Sequence, residues 1–270
     1  MNKHKLSRVG MYLFLSLISL LSLFPFYWMV VSSTNTTTDI NQGKITFGDQ
    51  LLVNISKLSD QVDLGLIFWN TSKIAILSTL FTLLVASMAG YGFEVYKSRN
   101  RDRVYGALLL TMMIPFAALM IPLFTLMAKA QLLDTHLAVI LPTIASVFIV
   151  FYFRQCTKAF PAELISAARV DGVKEWKIYF YIYMPVMKTT YAAAFIIVFM
   201  ASWNAFLWPL IVLQSTDLKT INLVLSSLSS AYFPDFGMIM VGTVVATLPT
   251  LAVFFLMQKQ FVAGMTGSVK

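Results

Sequence analysis

Six charged side chains, Glu163, Arg169, Asp171, Lys174, Glu175 and Lys177, crowd into ELISAARVDGVKEWKIYFYIYMP, residues 163–185, between two long apolar runs. At their centre stand three small residues, Ala167, Ala168 and Gly172. Small residues let another surface approach closely and charges keep such an element soluble, so the chemistry on offer is docking and not bond making. The local signals fit two short helices joined by a tight turn. Pro161 suits a first helical turn, Glu163 favours the positive end of the helix dipole, and Arg169 favours the negative end. Gly172 is placed to end the helix. A second short helix is expected from Val173 to Tyr183, with Pro185 marking the return toward apolar sequence. Such a helix can serve as a rigid lever on a partner. The competing reading is an amphipathic loop whose aromatics, Trp176, Tyr179, Phe180, Tyr181 and Tyr183, lie at a lipid interface.

The elements that must present this segment follow from composition. With 270 residues, 58% hydrophobic content and 12% charged residues, and a mean hydropathy of +0.76, the chain carries too much apolar surface for one soluble core. A spanning helix needs roughly 20 apolar residues, which predicts six spans at about 11–31, 72–96, 104–128, 137–157, 187–213 and 237–260. The expected fold is an all-α membrane protein: a cytoplasmic amino terminus over 1–10, a six-helix domain over 11–260 with the charged loop at about 158–186, and a cytoplasmic tail over 261–270.

The first apolar run, MYLFLSLISLLSLFPFYWMVV, is longer than a signal-peptide core and lacks a small-residue cleavage site, so a retained helix is expected. The net charge of +8 has a topological explanation. All lysines and arginines except Lys44, Lys57, Lys73, Lys129 and Lys219 fall on the side of the amino terminus, the bias that orients membrane proteins with both termini in the cytoplasm. Nucleic acid is therefore not an expected partner. Within residues 32–71, the stretch DQLLVNISKLSD reads as a short surface helix. Pro25, Pro115, Pro122 and Pro249 interrupt apolar runs, and each frees backbone groups that neighbouring helices or a water-lined cavity must satisfy. Ala86, Ala89, Gly90, Gly92, Ala192, Ala193, Ala194, Gly242 and Ala246 allow helices to pack closely. Cys156 has no partner for an internal disulfide.

Several functions are argued against. No GxxxxGK[ST] loop occurs, the Gly43-Lys44 pair being followed by Ile45, so the chain is not expected to bind ATP itself. There is no HExxH, Cys/His metal spacing or GxSxG, and His4 and His136 are far apart in sequence, so neither a catalytic residue nor a metal ligand is expected. The deep interiors of the expected spans lack Asp, Glu, Lys and Arg, with Glu94 at the rim of the second. That weakens an ion-coupled carrier and moves the energy source to a partner protein.

The charged loop resembles the cytoplasmic signature of the permease subunits of ATP-binding-cassette importers, in particular the carbohydrate branch related to the maltose system. That signature reads E-A-A, three residues, G, nine residues, I-x-L-P; here Ser166-Ala167-Ala168 is followed at the same spacing by Gly172 and by Ile182-Tyr183-Met184-Pro185. Ser166 replaces the glutamate and Met184 the leucine, so a salt bridge from the usual glutamate is not carried over. FPFYWMVVSS at 24–33, IPLFTLMAKAQLLDT at 121–135, SWNAFLWPLIVL at 202–213 and the ending FVAGMTGSVK are similar to further segments of the branch, in the same order.

The resemblance implies the type I importer permease fold and half of a translocation pathway in a bacterial or archaeal cytoplasmic membrane. Partners would be a second permease, two copies of an ATPase subunit that uses ATP and Mg2+, an extracytoplasmic solute-binding protein, membrane lipid and a di- or oligosaccharide, with no cofactor in this chain itself. A polyol or glycerol phosphate as cargo, or a stand-alone secondary carrier, are the alternatives. Glu163, Ala167, Ala168, Asp171 and Gly172 are the expected ATPase-docking residues. Gly264, Met265, Thr266 and Gly267 are candidates for a second contact through the tail. Trp203, Asn204 and Trp208 are candidates for the sugar path, because aromatic faces stack on sugar rings and an amide can hydrogen-bond hydroxyls; interfacial anchoring would also account for the tryptophans.

Overall fold

The computed structural model describes residues 3–265, and every regular element among them is helical. The chain begins with α1 (Lys3–Ser33), α2 (Thr37–Asn41), α3 (Leu51–Gln61) and α4 (Leu64–Val95). It continues with α5 (Arg99–Thr111), α6 (Phe116–Lys129), α7 (His136–Ile144), α8 (Val147–Thr157) and α9 (Ala162–Val170). One winding path then runs through α10 (Glu175–Lys177), a π-helical segment (Ile178–Tyr183) and α11 (Met184–Val186) into α12 (Lys188–Trp203). The last helices are α13 (Leu207–Val212), α14 (Ile221–Ser229) and α15 (Phe236–Met265).

Four stretches are long and apolar enough to cross a membrane, Gly10–Ser33, Leu64–Val95, His136–Thr157 and Phe236–Lys259, and six cross if each of two bent pairs counts as one span. The bent pairs correct two of the expected spans. The third is not one helix over 104–128: α5 and α6 meet at 103°. Pro115, the residue before α6, has no N–H to continue α5, and its ring turns Ile114 away from helical geometry. The fifth is not continuous over 187–213. It bends by 80° before Lys188, and α12 stops at Trp203, with Asn204 to Phe206 outside any helix before α13 begins.

Contacts divide the chain into two units. In the first, α1–α3 are grouped with residues 224–248. Leu58 of α3 packs with Met238, Ile239 and Val241. The carbonyls at the end of α1 are answered by amides: Asn54 Nδ2 donates to the Ser33 and Asn35 carbonyls at 3.0 Å each. A Cβ on Gly237 would stand 2.6 Å from the Asn35 carbonyl oxygen, so only glycine fits there. The surface helix expected in DQLLVNISKLSD is α3.

In the second unit α4 buries many residues that a soluble helix would expose. Its buried residues include Asn70, Thr71, Ser78, Thr79, Thr82, Ala86, Ser87 and Gly90, whereas Leu80, Phe81, Val85 and Met88 are exposed. Small and polar residues buried beside Ile67, Ile74, Leu83 and Tyr91, with other bulky apolar ones outward, form the pattern of a helix packed in a bundle and facing lipid. At Gly90 the packing reaches backbone contact, since a Cβ would lie 2.7 Å from Phe153 Cβ and 2.8 Å from the Arg154 amide nitrogen of α8.

Candidate functional site

The charged loop folds as α9, a glycine turn and α10. Glu163 lies in the first turn of α9 and Arg169 in the last, and Asp171 caps its end. Gly172 takes φ +72°, a left-handed conformation that costs other L-residues energy. Its N–H donates to the Arg169 carbonyl at 3.1 Å, and that of Val173 donates to the Ala168 carbonyl at 2.9 Å. This pair of bonds is a Schellman motif, which closes the helix end without side-chain help.

Packing decides which face of α9 is available. Ile165 and Ala168 are buried in a cluster with Tyr91, Phe160, Ile178, Tyr179, Tyr183 and Met187. Glu163, Leu164, Ser166, Ala167, Val170, Asp171 and Gly172 are exposed, Val170 at 88%. Of the five docking candidates, Ala168 is thus turned into its own chain, where its small side chain seats α9 on the π-helical segment, and the other four lie outside. Ser166, at the signature glutamate position, donates to the Ala162 carbonyl at 3.2 Å.

A polar clasp fixes α9 to the segment that follows. Arg169 donates to Glu175 through Nε at 2.6 Å and Nη2 at 3.1 Å, and Tyr96 donates its hydroxyl to the same carboxylate. Donating to the Glu175 carboxylate raises the Arg169 pKa further above its ordinary value, so this guanidinium stays charged. Behind the clasp, a cavity of about 300 Å³ is bordered by Glu94, Lys97, Thr157, Lys158, Ser166 and Arg169.

Glu94 leads to a second cluster that reading the sequence did not find. Arg154 of α8 donates through Nε to Glu94 of α4 at 3.3 Å and through Nη2 to Asp102 of α5 at 2.6 Å, and its guanidinium lies 4.0 Å from the centre of the Tyr105 ring. The Arg154 and Glu94 side chains are only 11% and 8% exposed. The available signal was an acid and a base each near the end of an apolar run, but nothing in the sequence pairs residues 60 positions apart.

The sugar-path candidates separate. Trp203 is 2% exposed; it stacks on Phe199 and meets Phe68 edge-on. Asn204 is exposed, with its amide donating to the Met200 carbonyl at 2.8 Å. Trp208 borders a mainly apolar cavity of about 580 Å³, whose polar edges are Thr82, Thr143, Ser146 and Ser202. Its indole Nε1–H donates to the Ala138 carbonyl at 2.9 Å. That carbonyl is free because Pro142, four residues on, has no N–H to offer it. Trp208→Phe keeps a ring and leaves the carbonyl unpaired at a cost of about 1–3 kcal/mol. Thermal unfolding of the purified chain in detergent is expected to move to lower temperature, and an unchanged midpoint would refute the assignment. Of the tail candidates, Thr266 and Gly267 lie outside the described residues. Gly264 and Met265 close α15, their side chains likewise outside the described part.

Long apolar helices, two of the candidate spans bent at a break, are what a membrane-embedded permease domain is built from. Residues 82–267 match the model of the binding-protein-dependent transport system inner membrane component family, and the chain belongs to that family. The lactose transport system permease protein LacG of Rhizobium radiobacter is 62% identical over 268 residues, covering 99% of this chain and 98% of that protein. The arabinooligosaccharides transport system permease protein AraQ of Bacillus subtilis (strain 168) is 36% identical over 269 residues, covering 97% and 96%. Among solved structures, a bacterial ABC transporter involved in the import of the acidic polysaccharide alginate superposes with a TM-score of 0.83 at 18% identity, covering 97% of this chain and 99% of that one.

Proposed function

We propose that this chain forms half of the translocation pathway of an ATP-driven importer for a di- or oligosaccharide, with lactose the first candidate cargo. The observation that carries the coupling role is the exposed face of α9, where Leu164 and Val170 stand in the open at 42% and 88% exposure beside Glu163, Ala167, Asp171 and Gly172 on a helix held by the Arg169–Glu175 clasp. Apolar side chains held out on a rigid charged loop fit burial by a partner. That partner is an ATPase dimer that binds ATP and Mg2+; a second permease completes the pore, and a solute-binding protein delivers the sugar. Both termini then face the cytoplasm of a bacterium or archaeon. Closure of the ATPase dimer pushes α9, and the spans alternate between outward- and inward-facing states, which requires α9 to be gripped differently in the two. The cargo assignment is supported by 62% identity to a lactose permease, and Trp208 and Asn204 remain the residues of this chain closest in character to a sugar contact.

The test is reconstitution of the chain with its second permease, ATPase and binding protein in vesicles, followed by uptake of radiolabelled lactose. Uptake is expected only with ATP inside and binding protein outside. Uptake by this chain alone, following an ion gradient, would overturn the reading in favour of a stand-alone carrier.

A further inference from the structure

Two tyrosines of the π-helical segment tie the coupling loop to three spans. The Tyr179 hydroxyl lies 2.6 Å from Ser87 Oγ of α4 and 3.0 Å from the Tyr191 hydroxyl of α12. The Tyr183 hydroxyl lies 2.7 Å from Thr157 Oγ1 of α8. Ser87 donates to the Leu84 carbonyl at 3.1 Å, so Tyr179 donates to Ser87 and Tyr191 to Tyr179, a chain of hydroxyls with one direction. Tyr179 is 5% exposed and Tyr183 fully buried, and their rings stack with centroids 5.5 Å apart.

The segment is the joint of the bend that leads into α12. Its widened turn is marked by the Met184 N–H donating to the Tyr179 carbonyl, five residues back. Pro185 has no N–H for the Tyr181 carbonyl and would crowd it in a regular helix, which a wider turn relieves. One turn later the path bends by 80° into α12. On its other side the joint carries α9, through Ile165 and Ala168. A π turn is a rare departure from the regular helix, found mostly at functional sites, and without further restraint a joint between two bent segments can absorb the movement of α9. Buried hydroxyl bonds supply that restraint, because moving the joint away from α4 and α12 would leave buried hydroxyls without partners, which is costly in a low-dielectric interior.

We propose that Tyr179 is a positioning residue for transport, whose hydroxyl, held between Ser87 and Tyr191, stiffens the π-helical joint so that movement of α9 enters α4 and α12. The proposal rests on the coupling role given above. Tyr179→Phe tests it, since the ring and its packing remain and only the hydroxyl is lost. In vesicles bearing the full transporter, ATP hydrolysis is expected to stay within about twofold of wild type while lactose taken up per ATP falls about fivefold or more. Ser87→Ala should give the same loss, and the double variant should be no worse than either single one.

An unchanged uptake per ATP in Tyr179→Phe overturns the proposal. So does a parallel fall of uptake and hydrolysis with their ratio intact, the mark of a merely structural role. Should Tyr179→Phe fail to assemble, Tyr191→Phe decides the matter by the same ratio. Wild-type vesicles without ATP-dependent lactose uptake would bring down the coupling role itself, and the Tyr179 role with it. Coupled wild type beside a fully coupled Tyr179→Phe would remove the Tyr179 role alone.

Discussion

Gly172→Glu is expected to abolish ATP-driven uptake while the chain still inserts in the membrane at wild-type abundance. Two effects combine at this position. The backbone there holds φ +72°, and a residue with a Cβ pays about 1–2 kcal/mol to stay in the left-handed region. The space around the missing Cβ is open, with no atom of the described residues other than its own neighbours in sequence within 4 Å, so a side chain does not collide with the described fold. It projects instead from the exposed turn beside Asp171, into the path of whatever docks on α9. A graded series separates the effects. Gly172→Asn, which tolerates the left-handed conformation, should keep more coupling than Gly172→Val, and Gly172→Glu should keep least because it adds bulk and a second negative charge. Uptake and ATP hydrolysis in vesicles, with membrane content checked by immunoblot, read the series. Normal uptake in Gly172→Glu would exclude the turn from the docking surface.

Arg154→Met is expected to give the largest loss of stability, about 3–5 kcal/mol. The substitution removes a guanidinium that is 11% exposed and leaves Glu94, 8% exposed, with only Lys97 at 2.6 Å. Lys97 is itself 64% exposed, so water weakens what it can offer a buried carboxylate. Asp102, more than half exposed, returns to solvent at little cost. Removing both charges is a milder change than removing one, since an apolar pair of similar size can replace a buried ion pair almost neutrally. The Arg154→Met, Glu94→Met double variant should therefore recover most of the loss. Thermal unfolding in detergent measures both, and a single-variant loss under about 1 kcal/mol would show that the cluster behaves like an ordinary surface pair.

Much of the fold was legible because lipid imposes a coarse rule on sequence. Apolar runs of spanning length give the helices at Gly10–Ser33, Leu64–Val95, His136–Thr157 and Phe236–Lys259 whatever their neighbours do. The turn at Gly172 was legible for a local reason, as a glycine after a helix whose last turn carries Arg169. The breaks were harder. Pro115 and Pro122 sit in one apolar run, and only the first interrupts it; Pro122 stays inside α6. Which proline breaks a helix depends on whether other groups take up the freed carbonyl, and that is a property of the packed bundle. The same limit applied to side chains. Ala167 and Ala168 are adjacent and alike, yet 100° around a helix separates an exposed face from a buried one. Trp203 and Trp208 looked equally suited to a sugar, but one fills the core and the other spends its donor on a distant carbonyl. Glu94 and Arg154 meet only because Gly90 lets α4 and α8 touch.

The bond from Trp208 to the Ala138 carbonyl spans 70 residues, and it sets an order in time. Synthesis proceeds from the amino terminus, so the helix containing Pro142 is complete long before Trp208 has been made. Until then its interior is one hydrogen bond short in a solvent that offers none. The early spans can enter the bilayer, but the Ala138 carbonyl gains its side-chain partner only when α13 arrives. Assembly of this half-pore therefore has a late step, in which a residue made 70 positions afterwards supplies the donor that Pro142 withholds.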